Sequence, residues 1–434
     1  MSGAERGPTG PWVLRGGTVV DADGERRADV AVGADGVIAA VGPELDPAGA
    51  EVLDAGGCVV SPGFVDVHTH LREPGGEEAE TIETGSRAAA LGGYTAVVAM
   101  PNTTPAIDSA AVVRQVLELG RSAPCDVHTA GAITVGRAGE ALAPLAEMAA
   151  LGVRLFTDDG TGVQDERLMR RALEYAGPLG ARLAQHCEVA SLAQGGHMHE
   201  GAWSSTLGIP GVPAEAEELM VGRDIALARR TGTPVHLQHL STARSVELVR
   251  QAKAEGLPVT AEATTHHITL TDECCASYDP RFKVNPPLRP AEDVAAVRAG
   301  LVDGAIDCIA TDHAPHTQEA KERPFDQAPP GMLGLETALA LALTELDIEL
   351  VALVGLLTWR PAAIAGLDDH GGPVAAGRPA NLCVFDPAAE WVVDPARTAS
   401  RSRNNPYAGR AVRGQVRHTL LFGESVVVDG EARR

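Results

Sequence analysis

His68 and His70 stand two residues apart in GFVDVHTHL, an apolar run that reads as a β-strand. Side chains of a strand alternate between its faces, so both imidazoles project the same way and make a two-pronged nitrogen donor. Such a pair is also common as hydrogen-bonded core histidines. Three further donors shift the balance: His186 in ARLAQHCE, His239 in PVHLQHLS and Asp312 in CIATDHAPH each stand near the end of another apolar run. Neutral imidazole and carboxylate are the donors of catalytic zinc sites, which keep one position open for water. A two-metal centre needs one more group able to bridge, and LFTDDG supplies Asp158 and Asp159. Strand alternation lets only one of them face inward, the pleat is not legible from sequence, and both stay open. The same Asp-Asp-Gly is also a turn signal.

Those donors need a scaffold that brings strand ends together. Eight runs can be read along the middle of the chain: GFVDVHTHL, YTAVVAMPN, DVHTAGAITV, GVRLFTDDG, ARLAQHCE, PVHLQHLS, PVTAEATTHH and CIATDHAPH. They alternate with Ala/Leu/Glu/Arg-rich helical stretches, as in parallel α/β folds. Eight strands can close a barrel, and the polar residues gather at their C-terminal ends, the active-site face of such a barrel. Shorter β-like runs broken by Gly and Asp occupy both ends of the chain, VLRGGTVVD before the middle and VRGQVRHTLLFG after it. The expected architecture is α/β: a (β/α)8 TIM-type barrel over residues 61–370, with a small β-sandwich domain formed from residues 1–60 and 371–434.

Composition bounds the rest. In 434 residues, 44% are hydrophobic, enough for a large core, and 3% are aromatic, which disfavours base-stacking platforms. The net charge of -22 argues against nucleic acid and anionic membrane as partners. Seven cysteines without a C-x-x-C pair fit a reducing cytoplasm. MSGAERGPTGPWVLRGG has no apolar leader core and no long uncharged apolar stretch follows, so a soluble cytoplasmic chain is expected. Lys253, Lys283 and Lys321 are the only lysines, against 33 arginines.

In SPGFVDVHTHLREPG, MPNTTP, FTDDG, QHCE, HLQHLST, AEATTHH, NPPLR, TDHAPH and GLET, over essentially its whole length, the chain resembles the amidohydrolase superfamily and, more narrowly, the bacterial type I dihydroorotases. The H-x-H pair speaks only for the superfamily. Arg72, Asn102 and Asn285 point to dihydroorotases, which use such positions to grip the substrate carboxylate and ring amides. The resemblance implies two Zn2+ ions per subunit, with His68, His70 and Asp312 serving the first, His186 and His239 the second, and Asp159 as the bridge. It implies Asp312 as the catalytic acid–base and substrate contacts from His70, Arg72, Asn102, Asn285, His316, Pro330 and Gly331. The reaction implied is the reversible cyclisation of N-carbamoyl-L-aspartate to L-dihydroorotate, the third step of pyrimidine biosynthesis, by a homodimer that can associate with aspartate transcarbamoylase.

Several residues have blander readings. Arg72 could form a surface ion pair, Asn102 and Asn285 could be turn formers, and His316 a solvated loop residue. His266 and His267 suit a supporting role, while His128, His197, His199, His236, His370 and His418 read as core or surface. Hydantoinases and dihydropyrimidinases bridge their metals with a carboxylated lysine on the fourth strand; with no lysine before Lys253, that bridge is impossible here. Two departures from the family pattern stand out: ATTHH lacks the usual proline, and PPGML lacks an aromatic before glycine, which weakens the Pro330 contact and leaves a backbone contact from Gly331. Two other readings are an allantoinase or hydantoinase-like enzyme, which should not need Arg72 as an anchor, and a non-catalytic dihydroorotase-like subunit of a transcarbamoylase complex, expected to lack metal ligands.

Overall fold

The computed structural model describes residues 10–433, so the first nine residues of the segment read as lacking a leader lie outside it. Strand β1 (Phe64–Thr69) pairs in parallel with β2 (Tyr94–Ala99), and β2 with β3 (Asp126–Thr129). A second parallel sheet runs in the order β4 (Leu155–Phe156), β5 (Arg182–Gln185), β6 (Val235–Leu237), β7 (Val259–Thr264) and β8 (Cys308–Ala310). Each of the eight expected runs holds one of these strands. At the two seams single parallel bridges occur, Gly131 with Phe156 and Thr69 with His313, the latter joined by a 2.9 Å bond from the His70 amide to the His313 carbonyl.

Every residue of β1 and β2 is buried, which is why β2 reads as a nearly continuous apolar run rather than an alternating one. Helices begin on side-chain caps in the intervening segments. Thr81 accepts from the Thr84 amide before Ile82–Leu91, Asp165 from Leu168 before Glu166–Ala176, and Thr242 from Ser245 before Ala243–Ala254. Val67, Val98, Met100, Ala130, Leu155, Ala184, Cys308 and Ala310 pack together between the strands as one apolar cluster.

The two chain ends are interleaved. A seven-stranded sheet runs Glu431–Ala432, Glu424–Val428, Ala411–Leu421, Leu382–Val392, Val59–Pro62, Thr18–Asp21, Gly24–Arg27. A four-stranded sheet of Ile38–Gly42, Asp29–Val32, Trp12–Arg15 and Glu51–Asp54 shares its core, through Leu14, Val30, Ile38, Val60, Leu382, Val384 and Leu420. Strand Val59–Pro62 runs through the expected break after residue 60 and leads through Gly63 directly into β1. A Cβ at Gly63 would meet Thr95 Cγ2 at 2.1 Å, so the close passage admits only glycine. All seven cysteines are free thiols, and among the described residues no helix is long and apolar enough to cross a membrane.

One buried acid secures the loop that follows β6. Glu217, in the first turn of helix Glu215–Thr231, accepts from the amides of Ser241 and Thr242 at 3.0 and 3.1 Å and from the Ser241 hydroxyl. Arg289 lies 3.9 Å from it and donates to Ser241 Oγ at 3.0 Å. Burial pushes the Glu217 carboxyl up, but the Arg289 charge and these hydrogen bonds outweigh it and hold it below the ordinary value. Glu217→Gln strands Arg289 and is expected to cost about 3 kcal/mol of stability at neutral pH. Because the folded carboxyl lies below its unfolded value, that stabilisation is complete above about 4.5 and fades as pH falls through the folded pKa. Unfolding of both proteins at pH 7 and pH 4 tests this; a difference that does not shrink at pH 4 contradicts it.

Candidate metal centre

The six expected donors meet in one buried space at the C-terminal ends of the strands. His68, His70, Asp159, His186, His239 and Asp312 are each at most 8% exposed. The Asp312 Oδ1 atom is 2.9 Å from His70 Nε2 and 3.6 Å from His68 Nε2. His186 Nδ1 faces His239 Nε2 at 2.9 Å. Between these groups stands Asp159, whose Oδ1 is 3.3 Å from His68 Nε2, 3.7 Å from His186 Nδ1 and 3.8 Å from His239 Nε2, and whose Oδ2 is 3.6 Å from His70 Nε2. His239 and Asp312 adopt positive φ, 35° and 45°, a strained backbone for non-glycine residues that persists only where the surroundings enforce it.

The Asp-Asp pair is resolved by its partners. Asp158 accepts from the amides of Ile133 and Thr134 at 2.9 and 3.1 Å and from the Thr134 hydroxyl, which uses both its oxygens to shape the loop after β3. The carboxylate that faces the histidines is Asp159.

Ring orientation shows what the cluster lacks. His68 Nδ1–H donates to Glu262 Oε1 at 2.6 Å and His70 Nδ1–H to Asn102 Oδ1 at 2.9 Å, so in each ring Nε2 is the atom turned toward the carboxylates of Asp159 and Asp312. His68 Nε2, Asp159 Oδ1 and His239 Nδ1 are buried without any hydrogen-bond partner, a cost of roughly 1–3 kcal/mol per atom. Burial alone would strip His68 of a proton, but Asp159, Glu262 and Asp312 outweigh it and raise the imidazole well above its usual value. The space therefore calls for positive charge. Two overlapping donor sets, His68–Asp159–His239 and His68–His70–Asp312, have ligand atoms within 4.8 Å of one another, and both fit a metal ion.

Glu262, on β7, was not singled out by sequence reasoning, and neither was its link to His236. It is fully buried, accepts from His236 Nε2 at 2.9 Å and from the His239 amide at 3.2 Å, and so sets the tautomer of His68 and the backbone of His239 together. Burial pushes its carboxyl up, but the His68 charge and the His236 hydrogen bond bring it down to about 2. The only sequence signal was an acid in the middle of an apolar strand. Asp312 behaves alike: burial is outweighed by the His68 charge and the His70 contact, leaving the carboxyl far below the usual range.

The other expected residues form the rim. Arg72, Asn102, Asn285 and His316 are partly exposed and Pro330 is exposed. Arg72 donates from Nε to the Pro315 carbonyl at 3.0 Å, and among the described residues its guanidinium has no carboxylate within 4 Å, so the surface ion pair is not formed. Asn102 also donates to Asp159 Oδ2 at 3.2 Å, and Asn285 donates to His186 Nε2 at 3.3 Å; both touch the donor cluster itself. His316 Nε2–H donates to the Pro330 carbonyl at 2.7 Å, and burial, with the Arg72 charge next, lowers its basicity to about 3. Gly331 has φ 136°, and a Cβ there would lie 2.8 Å from that of Ala314. Two residues missed from sequence hold this edge: Asn404 donates to the carbonyls of Ala314 and Gly331 at 2.9 and 3.1 Å, and Lys321 Nζ to those of Pro329 and Gly331, each at 2.9 Å.

The fold has counterparts among solved structures. The L-hydantoinase (dihydropyrimidinase) of Arthrobacter aurescens superposes with a TM-score of 0.88 at 25% identity, over 98% of each chain. The D-hydantoinase (dihydropyrimidinase) of a Thermus species gives 0.83 at 25%, over 97% of this chain and 96% of that one. The fold and site thus define an amidohydrolase. Sequence narrows this further: residues 57–245 match the dihydro-orotase-like family model. The dihydroorotase of Pelotomaculum thermopropionicum is 50% identical over 96% of this chain and 98% of its own length, and that of Streptomyces coelicolor 52% identical over 91% and 94%. The chain belongs to the dihydroorotase family.

The two neighbouring acids are expected to separate on substitution. Asp159→Ala should lose bound metal and with it at least 10²-fold in activity, whereas Asp158→Ala should keep its metal and lose about 1–3 kcal/mol of stability. Metal content and thermal unfolding of the two variants check this; equal metal content would refute the distinction.

Proposed function

We propose that this chain is a zinc-dependent dihydroorotase, interconverting N-carbamoyl-L-aspartate and L-dihydroorotate in the third step of pyrimidine biosynthesis. The observation that carries the reading is the guanidinium of Arg72, without a carboxylate within 4 Å among the described residues and placed at the rim of the cluster that contains Asp312. A planar fork there suits the substrate's free carboxylate, which a neutral hydantoin ring lacks. The relatives about 50% identical, named dihydroorotase, support the same substrate.

In this reading the eight strands close as a (β/α)8 barrel over residues 61–370, supported by the seam bridges, and residues 1–60 and 371–434 make a β-sandwich domain. Two Zn2+ ions would be held by His68, His70 and Asp312 and by His186 and His239, with Asp159 shared. Bound there, zinc supplies Lewis-acid polarisation of the amide carbonyl and acidifies water at neutral pH. Asp312 takes the proton of the attacking water and hands it to the departing ring nitrogen; in closure it runs the same transfers backwards. Asn102 and Asn285 hold His70 and His186 while offering amides to the ring, and His316, Pro330 and Gly331 line the edge against which the substrate lies. Free buried thiols agree with a cytoplasmic location. The family resemblance supports a homodimer able to associate with aspartate transcarbamoylase.

The purified chain alone should cyclise carbamoyl aspartate, lose that activity on chelation and regain it with Zn2+; inactivity in every state with zinc bound would overturn the proposal. Arg72→Met should lower kcat/KM for dihydroorotate roughly 10–100-fold, the scale of one charge-assisted interaction, and leave neutral cyclic amides unaffected. Ring closure converts a carboxylate into an amide and takes up a proton, so synthesis should gain at acidic and hydrolysis at alkaline pH. Superimposable pH profiles for the two directions would contradict this reaction.

A further inference from the structure

At the opposite, N-terminal end of the strands lies a second group of metal donors. Asp126 and His128 occupy positions i and i+2 of β3 and so share one face of it. His370 comes from the segment that follows helix Trp359–Ala365. Asp126 Oδ2 is 3.1 Å from His370 Nε2 and 3.3 Å from His128 Nε2, and all three atoms lie within 4.8 Å of one another. A hydrogen bond accounts for His370. It does not account for His128, whose Nε2 is buried, stands in ion-pair contact with the same oxygen, and makes no hydrogen bond among the described residues.

Tetrahedral zinc with bonds near 2.0–2.1 Å separates its ligand atoms by about 3.3 Å, close to the two separations from Asp126 Oδ2. The supporting contacts are also in place. His370 Nδ1 is 3.1 Å from Thr95 Oγ1, which fixes the ring with Nε2 toward Asp126, and Phe422 packs edge-on against that ring. A cavity of about 860 Å³, lined by Asp126, His128, His370, Arg114 and Arg154 among others, reaches the three donors and supplies both an entry path and room for a water as fourth ligand.

We propose that Asp126, His128 and His370 bind one divalent transition-metal ion, Zn2+ by donor type, apart from the pair assigned to the catalytic end. The ion would clasp β3 to the segment that leads back into the seven-stranded sheet. Nothing in this site touches the reacting groups, so it adds to stability rather than chemistry.

Equilibrium dialysis of the full chain against micromolar free Zn2+, followed by elemental analysis, should find one equivalent more in the parent than in Asp126→Asn or His128→Gln. Cyclisation activity of both variants should stay within about twofold of the parent, and the parent alone should show the extra zinc-dependent rise in thermal midpoint. Asp126→Asn retains an acceptor for His370, and His128 is a third exposed on its side chain, so His128→Gln decides the matter if the other variant does not fold. Equal zinc content in parent and folded variant would overturn the proposal. Loss of one equivalent with activity retained separates this site from the catalytic pair.

Discussion

Asp159 is the charge around which the rest is arranged. At 2% exposure it has lost its water, and a buried carboxylate is tolerable only when counter-charge or hydrogen bonds replace that water. Four imidazoles surround it, and each is steered by something else: His68 by Glu262, His70 by Asn102, His186 by Asn285, and the loop behind His239 by Glu217. Those partners come from different strands and loops, which is why only a fold that gathers many strand ends into one space can build the cluster. Two donors of the cluster, His239 and Asp312, have positive φ and sit where the chain turns sharply off a strand to deliver a donor.

What the sequence made legible follows the same physics. His68 and His70 could be paired because strand periodicity is local, and His186, His239 and Asp312 because they end apolar runs that a buried strand requires. The choice between Asp158 and Asp159 was not legible from residues alone. It depends on which of two adjacent carboxylates finds amides across a loop, and those of Ile133 and Thr134 lie more than twenty residues away. Glu262 and Asn404 escaped for the same reason, since the partners that give them meaning are 194 and 90 residues distant. The β-rich ends were readable as texture, but not the insertion of Val59–Pro62 between strands from both ends of the chain.

Hydantoinase-like structures share this fold at about a quarter identity, so the scaffold does not by itself determine the substrate. The distinction rests on a few positions. All three lysines are engaged elsewhere: Lys253 pairs with Asp307 at 2.7 Å, and Lys283 and Lys321 are buried donors to the carbonyls of the Phe325–Gly331 segment. A positive charge that other chains spread over many lysines is here almost wholly arginine, which leaves these buried ammonium groups with a structural task that a flexible, compact donor performs well.

The interleaving of the two ends has a consequence for how the molecule comes into being. During synthesis every donor of the catalytic cluster has been made once Asp312 emerges, yet Val59–Pro62 still lacks its neighbour Leu382–Val392, and the edge carrying Gly331 still lacks Asn404. Until residues 382–404 are released, Val59–Pro62 exposes an open strand edge and the edge of the metal cluster lacks its support. Assembly of the site is thereby tied to residues 382–404, and a chain cut short near residue 380 would carry all its donors without the frame that makes them a centre.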